Sequence, residues 1–242
     1  MHLADPTLPR PFVITAWRTL HGQLGCNAFV HYVQSSIHST PHSPLCSSPS
    51  CHASNRLETL THIFFDCPDL SPVLPWLCNA WAALTCKAPP PLTAAVLLAD
   101  DLRGWQTDSP ADNPRLRALW TRLRVTVIGC IWRVRCLRDQ GTTLGSSPAR
   151  LAVSMAVSLI KEAIDRDWLR ATSDIRQLDN GYFCSAWWRG RDPALPLSKF
   201  KQLWASPPIL CGVIAGDPAA ILPVPHSLTH HVGTDYPILF PP

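Results

Sequence analysis

Apolar residues recur at helical spacing along much of the chain. Between Phe12 and Tyr32 they predict two short helices, separated by a break at Gly22 to Gly25. The stretch RLETLTHIFF predicts another short helix, and a tryptophan-bearing helix is expected to have Pro72 in its first turn. Because strand patterns are weak throughout, the sequence predicts a mainly α fold.

The longest predicted helix begins at Asn113 and Pro114, reaches Asp139 and ends before Gly141. Another is expected to begin at Pro148. Proline-rich segments separate or follow these helical regions. We therefore divide the chain into residues 10–86, a linker at 87–113, a helical region at 114–204 and a disordered tail at 205–242.

The composition is that of a folded and mildly basic protein. Apolar residues make up 46% of the 242 positions and charged residues only 16%, with a net charge of +4. Arginine dominates the basic residues, with 17 arginines against 4 lysines. This balance permits a nucleic-acid partner without requiring one, since a strong electrostatic footprint has a higher isoelectric point.

The sequence contains neither a secretion pattern nor a membrane pattern. Its start, MHLADPTLPRPF, lacks a basic segment followed by an apolar one, and the longest apolar run, VTVIGCIW, is far below the roughly 20 residues of a membrane helix. We expect a nuclear or cytoplasmic protein that is not secreted and has no membrane partner. In such a reducing compartment, clustered cysteines more often bind metal than form disulfides.

A candidate metal site lies in the stretch CSSPSCHASNRLETLTHIFFDC. Cys46 and Cys51 are separated by four residues, and so are His62 and Cys67, with ten residues between the two pairs. Two close pairs of ligands suit a tetrahedral zinc ion, and four protein ligands would make the zinc structural rather than catalytic. Unliganded thiols and a Cys46–Cys51 disulfide are the alternatives, and His52 is a possible substitute ligand.

The same residues resemble a known family. CSSPSC, then ETLTHIFFDCP and a tryptophan-bearing helix, are similar to the zinc-binding domain that follows the polymerase in reverse transcriptases of non-LTR (LINE-type) retrotransposons. FVITAWRTLHGQLGCNAFVHY and VIGCIWRVRCLRDQG also resemble segments of that family. The residues that match its signature directly are Glu58, Thr59, His62, Ile63, Phe64, Cys67 and Pro68. The first cysteine pair departs from the family's commoner two-residue spacing.

The resemblance covers roughly residues 10–140, and its most specific part is residues 46–81. It implies that residues 10–86 form a zinc-binding domain associated with a reverse transcriptase. It further implies a fold around one zinc ion that assists the polymerase in engaging RNA or DNA, with no chemistry of its own.

The long predicted helix is rich in arginine. It carries seven arginines, most of which flank its apolar stripe, and guanidinium groups match the geometry of phosphate groups. The alternative is an ordinary helix whose arginine stems cover the edge of the core. The candidate nucleic-acid-binding residues are Arg117, Arg122, Arg124, Arg133 and Arg135.

Two further segments carry suggestive chemistry. LLADDLRGW contains Asp100 and Asp101, which resemble the paired aspartates of a polymerase, but the chain supplies no palm and no third carboxylate, so a solvated loop or helix cap is preferred. Residues 182–204 mix aromatic and basic side chains, which suits either core packing or stacked bases.

Three hypotheses follow from the sequence. The first is a non-catalytic, zinc-stabilised nucleic-acid-binding module of retrotransposon origin, whose affinity falls steeply with salt. The second is a zinc-stabilised interaction or scaffold protein, a domesticated or decaying remnant that contacts a protein partner through its tryptophans. The third, an active polymerase fragment, is the weakest.

Overall fold

The protein is described by a computed structural model over residues 8–37, 42–85, 87–105, 110–111, 113–144, 146–172 and 198–200. Within these ranges the fold is mainly α, as the sequence predicts, and the only strand-like pairing is an isolated antiparallel bridge between Leu45 and Leu57. The predicted tail at 205–242 lies outside the described residues, and so does most of the aromatic segment at 182–204.

The described residues up to Thr172 contain seven α-helices, one π-helix and one 3-10 helix. The α-helices are α1 (Arg10–Leu20), α2 (Asn27–Ser35), α3 (Pro49–His52), α4 (Val73–Thr85), α5 (Ala94–Leu97), α6 (Pro114–Asp139) and α7 (Pro148–Thr172). The π-helix is His62–Asp66 and the 3-10 helix is Leu102–Gly104. The two short helices expected before Tyr32 are therefore confirmed, as is the start of α7 at Pro148.

Helix α6 has the predicted bounds, and its ends show why. The Asn113 side chain accepts hydrogen bonds from the backbone N–H groups of Arg115 and Leu116, while Pro114 occupies the first turn. At the other end Gly141 adopts a φ of 72°, in the left-handed region that favours glycine. Its N–H donates to the carbonyl of Arg138, which closes the helix.

Helix α6 is also the centre of the core. It packs against α1, α4, α7 and the π-helix, and every residue from Arg122 to Ile131 is buried. A helix that is buried on all sides differs from the predicted helix with one apolar stripe. At the α1 contact, a Cβ atom on Gly129 would overlap the ring of Phe12, so glycine permits the close approach.

Residues on both sides of the predicted linker share this core. Within the described part of the linker, α5 and the 3-10 helix bury apolar side chains. Trp105, from this segment, forms edge-to-face contacts with Trp81 of α4 and Trp120 of α6, with ring centroids 5.2 Å from each. A segment with its own apolar anchors packs onto the core despite its many prolines.

Candidate metal centre

The first cysteine pair lies on a small antiparallel loop. The N–H of Cys46 donates to the carbonyl of Arg56 at 2.9 Å, and the N–H of Glu58 donates to the carbonyl of Pro44, also at 2.9 Å. Helix α3 begins at Pro49 and carries Cys51. The SSPS turn thus directs both thiols toward the same side, as its composition predicts.

The second pair is positioned by the π-helix, where the sequence predicts an ordinary helix. The N–H of Cys67 donates to the carbonyl of His62 at 2.7 Å, a bond that spans five residues. On an α-helix, residues five apart point about 140° away from each other. The wider π turn reduces this angle, so His62 and Cys67 can contribute to one site.

The four predicted ligands come together. The sulfur atoms of Cys46, Cys51 and Cys67 and a ring nitrogen of His62 all lie within 4.8 Å of one another, and all four residues are buried. The Cys51 and Cys67 sulfurs are 4.0 Å apart. Two sulfurs bound at about 2.3 Å in a tetrahedral zinc site lie roughly 3.8 Å apart, so the cluster has the dimensions of a metal site.

Two more observations fit a metal. The Nε2 atom of His62 is buried and has no hydrogen-bond partner among the described residues, which is costly for a polar atom unless it binds something. The thiols of Cys46, Cys51 and Cys67 are free, so the alternative Cys46–Cys51 disulfide is not formed. The side chain of His52, the predicted substitute ligand, lies outside the described part of the chain.

Arg138 of α6 places a positive charge beside the cluster. Its Nη2 lies 3.6 Å from the Cys46 sulfur, and its Nη1 lies 3.9 Å from the Cys67 sulfur and 3.3 Å from an Asp69 oxygen. Asp69 in turn accepts hydrogen bonds from the hydroxyl groups of Ser48 and Ser50. Arg138 and Asp69 therefore connect the two ligand pairs to each other and to α6.

The thiols affect one another's protonation. The pKa of Cys67 is lowered, first because the Cys46 thiol donates to its sulfur and then because the Asp69 backbone N–H and Arg138 stabilise the thiolate. The pKa of Cys46 is raised, first by the same hydrogen bond and then by burial. A thiolate stabilised by donors and a cation is the form of cysteine that binds metal.

A second polar cluster fixes the far side of the loop. The guanidinium of Arg135 donates to the Glu58 carboxylate through Nε at 3.0 Å and also through Nη2, and it donates to the Asn27 side chain. The same Glu58 oxygen accepts the Asn27 backbone N–H at 3.0 Å. Glu58 and Arg135 are both buried, so α2, the cysteine-bearing loop and α6 are joined through one ion pair.

Three of the five arginines predicted to bind nucleic acid lie inside the protein. Arg122 pairs with Asp167 at 2.8 Å, Arg124 donates to the carbonyls of Leu97 and Leu98, and Arg135 pairs with Glu58. The remaining two are Arg117, which is half-buried, and Arg133, which is exposed.

The expected ridge of phosphate-binding arginines along α6 is therefore not a continuous surface. The cause is that α6 is enclosed on all sides rather than on one. Burial lowers the pKa of Arg124 to about 10. Because this value is still above neutral pH, the guanidinium stays charged, and it is stabilised by the carbonyls and by Asp100. Nucleic-acid binding itself stays a prediction.

The paired aspartates have roles within the fold. Asp100 is nearly buried and accepts a hydrogen bond from Arg117 at 2.5 Å, with Arg124 3.8 Å away. Asp101 caps the 3-10 helix by accepting the N–H of Arg103, and the Arg103 side chain lowers the pKa of Asp101 to about 2. The predicted cap role holds for Asp101, whereas Asp100 is enclosed by two arginines and is not solvated.

Sequence reasoning did not single out Arg138, Asp69 or Arg135 as supports of the metal ligands. Their partners are remote, because 71 residues separate Arg138 from Cys67 and 77 separate Arg135 from Glu58. One signal was available: α6 carries seven arginines and a single acidic residue, so its guanidinium groups require partners from other segments.

The tryptophans that the structure describes are mostly core residues. Trp76, Trp81, Trp105 and Trp120 are buried, and Trp17 is the tryptophan with a large exposed fraction.

Among the described helices, none combines the length and apolar character that crossing a membrane requires. Comparisons of the chain with family models, with curated proteins and with solved structures find no match.

Proposed function

We propose that this chain is a non-catalytic, zinc-stabilised module that assists the binding of RNA or DNA. The observation that carries the proposal is the buried cluster of three thiols and one imidazole, whose ligand atoms lie within 4.8 Å of one another. Three sulfurs and one nitrogen form a donor set typical of structural zinc sites. Zinc in this site would contribute folding free energy and no reaction.

The surroundings of the cluster support a structural role. One zinc ion and three thiolates together carry one negative charge, and Arg138 supplies a positive charge within 4 Å of two of the sulfurs. Four protein ligands leave no position for a substrate or a water nucleophile. The proposal therefore assigns the metal to holding residues 46–67 against α6.

The nucleic-acid part of the proposal draws on the resemblance to the zinc-binding domain of non-LTR reverse transcriptases. The residues that carry the resemblance include two of the ligands, His62 and Cys67, and also Glu58, which anchors the loop to Arg135. A module of this origin would hold a nucleic acid for a polymerase, and the basic character of the chain is compatible with that task.

A zinc-stabilised protein-interaction domain is the second candidate. Its support is the outer face of α2, where Phe29, Tyr32 and Val33 are exposed at helical spacing and Ile37 follows them. Apolar side chains clustered at a surface are more typical of a protein contact than of a phosphate contact. A stable complex with a protein, formed without nucleic acid, would favour this candidate.

The test compares the zinc-loaded chain with two cysteine variants. Cys67→Ser removes a ligand, and Cys136→Ser removes a half-buried thiol elsewhere on α6 as the matched control. The parent chain and the control should contain one zinc and bind labelled single strands of RNA and DNA, with affinity falling linearly against the logarithm of salt concentration. Absence of binding at low salt, or binding that ignores salt, would refute the nucleic-acid function.

A further inference from the structure

Helix α1 presents an outward face of unusual composition. Arg10, Ile14, Trp17, Arg18 and His21 fall within an arc of about 100° at 3.6 residues per turn, and all five are exposed. Ile14 and Trp17 expose 43% and 44% of their surface, respectively. The face therefore combines two cations with large ring systems along one side of a single helix.

This face is held outward by rigid packing on the opposite side of α1. Phe12, Ala16 and Thr19 are buried, and the ring of Phe12 lies directly against Gly129 of α6. That contact leaves no room even for a methyl group at Gly129, so the inner side of α1 is packed tightly against α6. The exposure of Trp17 is therefore fixed by the packing of the helix.

The stretch of sequence that contains this face carries charged residues of one sign. From Leu8 to Leu57 the sequence contains three arginines, at positions 10, 18 and 56, and neither aspartate nor glutamate. Arg117, Arg122, Arg135 and Arg138 of α6 pair with carboxylates, whereas the ion pairs found within the described residues include neither Arg10 nor Arg18. Two unpaired guanidinium groups favour a polyanion over a neutral or cationic partner.

Trp17 gives this polyanion site a specific chemistry. Its ring lies 4.4 Å from the ring of His21, at an angle of 47°, and it is flanked by Arg18 in the sequence. An exposed aromatic ring beside basic groups is the arrangement on which unpaired bases stack in proteins that bind single strands. In a duplex the bases already stack on one another and are not offered to such a ring.

We propose that the outer face of α1 is a contact surface for single-stranded nucleic acid. Trp17 stacks on an unpaired base, while Arg10 and Arg18, whose Cα atoms are about 12 Å apart along the helix, contact different phosphates of the same strand. This inference rests on the proposed nucleic-acid function, and it places the contact on α1 rather than along α6.

The test measures the affinity of the zinc-loaded full chain for a fluorescein-labelled uridine strand, the matching thymidine strand and a duplex of equal length. Trp17→Ala should weaken single-strand binding at least about fivefold. Arg18→Gln should reduce the slope of log affinity against log salt by about one. Two controls change other exposed residues: Tyr32→Ala removes an aromatic ring, and Arg103→Gln removes an arginine together with its pairing to Asp101. Each should change single-strand affinity by less than twofold.

The possible outcomes separate this inference from the proposed function. If the parent chain binds single strands in a salt-dependent way but Trp17→Ala binds equally well, the α1 surface is refuted and the function stands. If the parent chain binds no nucleic acid, both fail. Self-association that Trp17→Ala abolishes, without strand binding, would assign the face to a protein contact and overturn the inference. Matching circular dichroism of all variants excludes unfolding as the cause.

Discussion

Two loops are held against α6, and they are held by different means. The cysteine loop, residues 42–58, docks on the C-terminal half of α6 through Arg135 and Arg138. The tryptophan loop, residues 94–105, docks on the N-terminal half through Arg117 and Arg124. Both halves of the helix therefore use buried or half-buried arginines as anchors, but only one of the two loops contributes residues to the Cys/His cluster.

The tryptophan loop has its own apolar anchors. Its buried side chains are Val96, Leu97, Leu98, Leu102 and Trp105. A fully buried aliphatic or aromatic side chain contributes about 1.5–3 kcal/mol, so five of them recover a large part of the conformational entropy lost when the loop is ordered. This loop therefore has an apolar source of stability of its own.

The cysteine loop has almost no apolar anchors. Its buried residues are Cys46, Ser48, Cys51 and Glu58, while Leu45 is half-buried and Leu57 is exposed. Ordering each residue costs about 1–2 kcal/mol of backbone entropy, and four small or polar side chains do not return that free energy through burial alone. The comparison gives the Cys/His cluster a physical reason: a metal bound there would replace the missing apolar anchor.

Removal of the metal should therefore have the largest effect, and only on one loop. After chelation we expect backbone amides of residues 44–58 and 62–67 to lose protection from hydrogen exchange, since structural zinc contributes about 10 kcal/mol or more to small sites. Amides of the tryptophan loop should keep their protection. Hydrogen exchange followed by mass spectrometry measures the protection of both loops in one experiment. An equal loss of protection in the two loops would remove the distinction between them.

Truncation of a tryptophan should have the opposite effect: it should weaken the packing of the tryptophan loop and leave the metal site unchanged. Trp120→Ala leaves a cavity beside Trp81 and Trp105, and the expected loss of unfolding free energy is about 3–5 kcal/mol, measured by urea denaturation of the zinc-loaded chain. The zinc affinity should change little. Trp17→Ala, at an exposed position, is the matched control and should cost less than about 1 kcal/mol.

Arg138 gives a sharper distinction between the loops. Arg138→Gln removes the charge beside the Cys46 and Cys67 sulfurs, and zinc affinity should fall about 10- to 100-fold, as for other residues that support metal ligands. Competition with a chromogenic chelator measures this. Arg133→Gln, an exposed neighbour on α6, should leave the affinity unchanged. If Arg138→Gln binds zinc with the same affinity as the parent chain, the charge of Arg138 does not act on the site.

The smallest effect is expected at the cap of α6. Asn113→Ala removes a side chain that accepts two backbone N–H groups and should cost about 1 kcal/mol of unfolding free energy. Because Asn113 lies at the end of α6 remote from Arg138, zinc affinity should be unaffected. A drop in zinc affinity would show that the two halves of α6 are coupled.

The sequence predicts those features that depend on neighbouring residues. The start of α6 follows from Asn113 and Pro114, its end from Gly141, and the four ligands from two close pairs within 22 residues. Local spacing suffices in these cases, because a cap or a ligand pair forms within one or two turns of chain.

Features that depend on distant partners could not be predicted in this way. The arginines at 122, 124 and 135 alternate with apolar residues and suggest a surface, but Asp167, the carbonyl of Leu97 and Glu58 enclose them from 27 to 77 residues away. The π turn at His62 is similar, since the hydrogen bond from the Cys67 N–H to the His62 carbonyl has no sequence signature.

X-ray absorption at the zinc edge of the purified chain tests the central claim most directly. The account predicts one zinc per chain, bound by three sulfurs at about 2.3 Å and one nitrogen at about 2.0 Å, from Cys46, Cys51, Cys67 and His62. In Cys67→Ser the number of sulfur ligands should fall or the metal should be lost. A chain that folds and protects the cysteine loop without any metal, or a zinc bound mainly by oxygen, would contradict it.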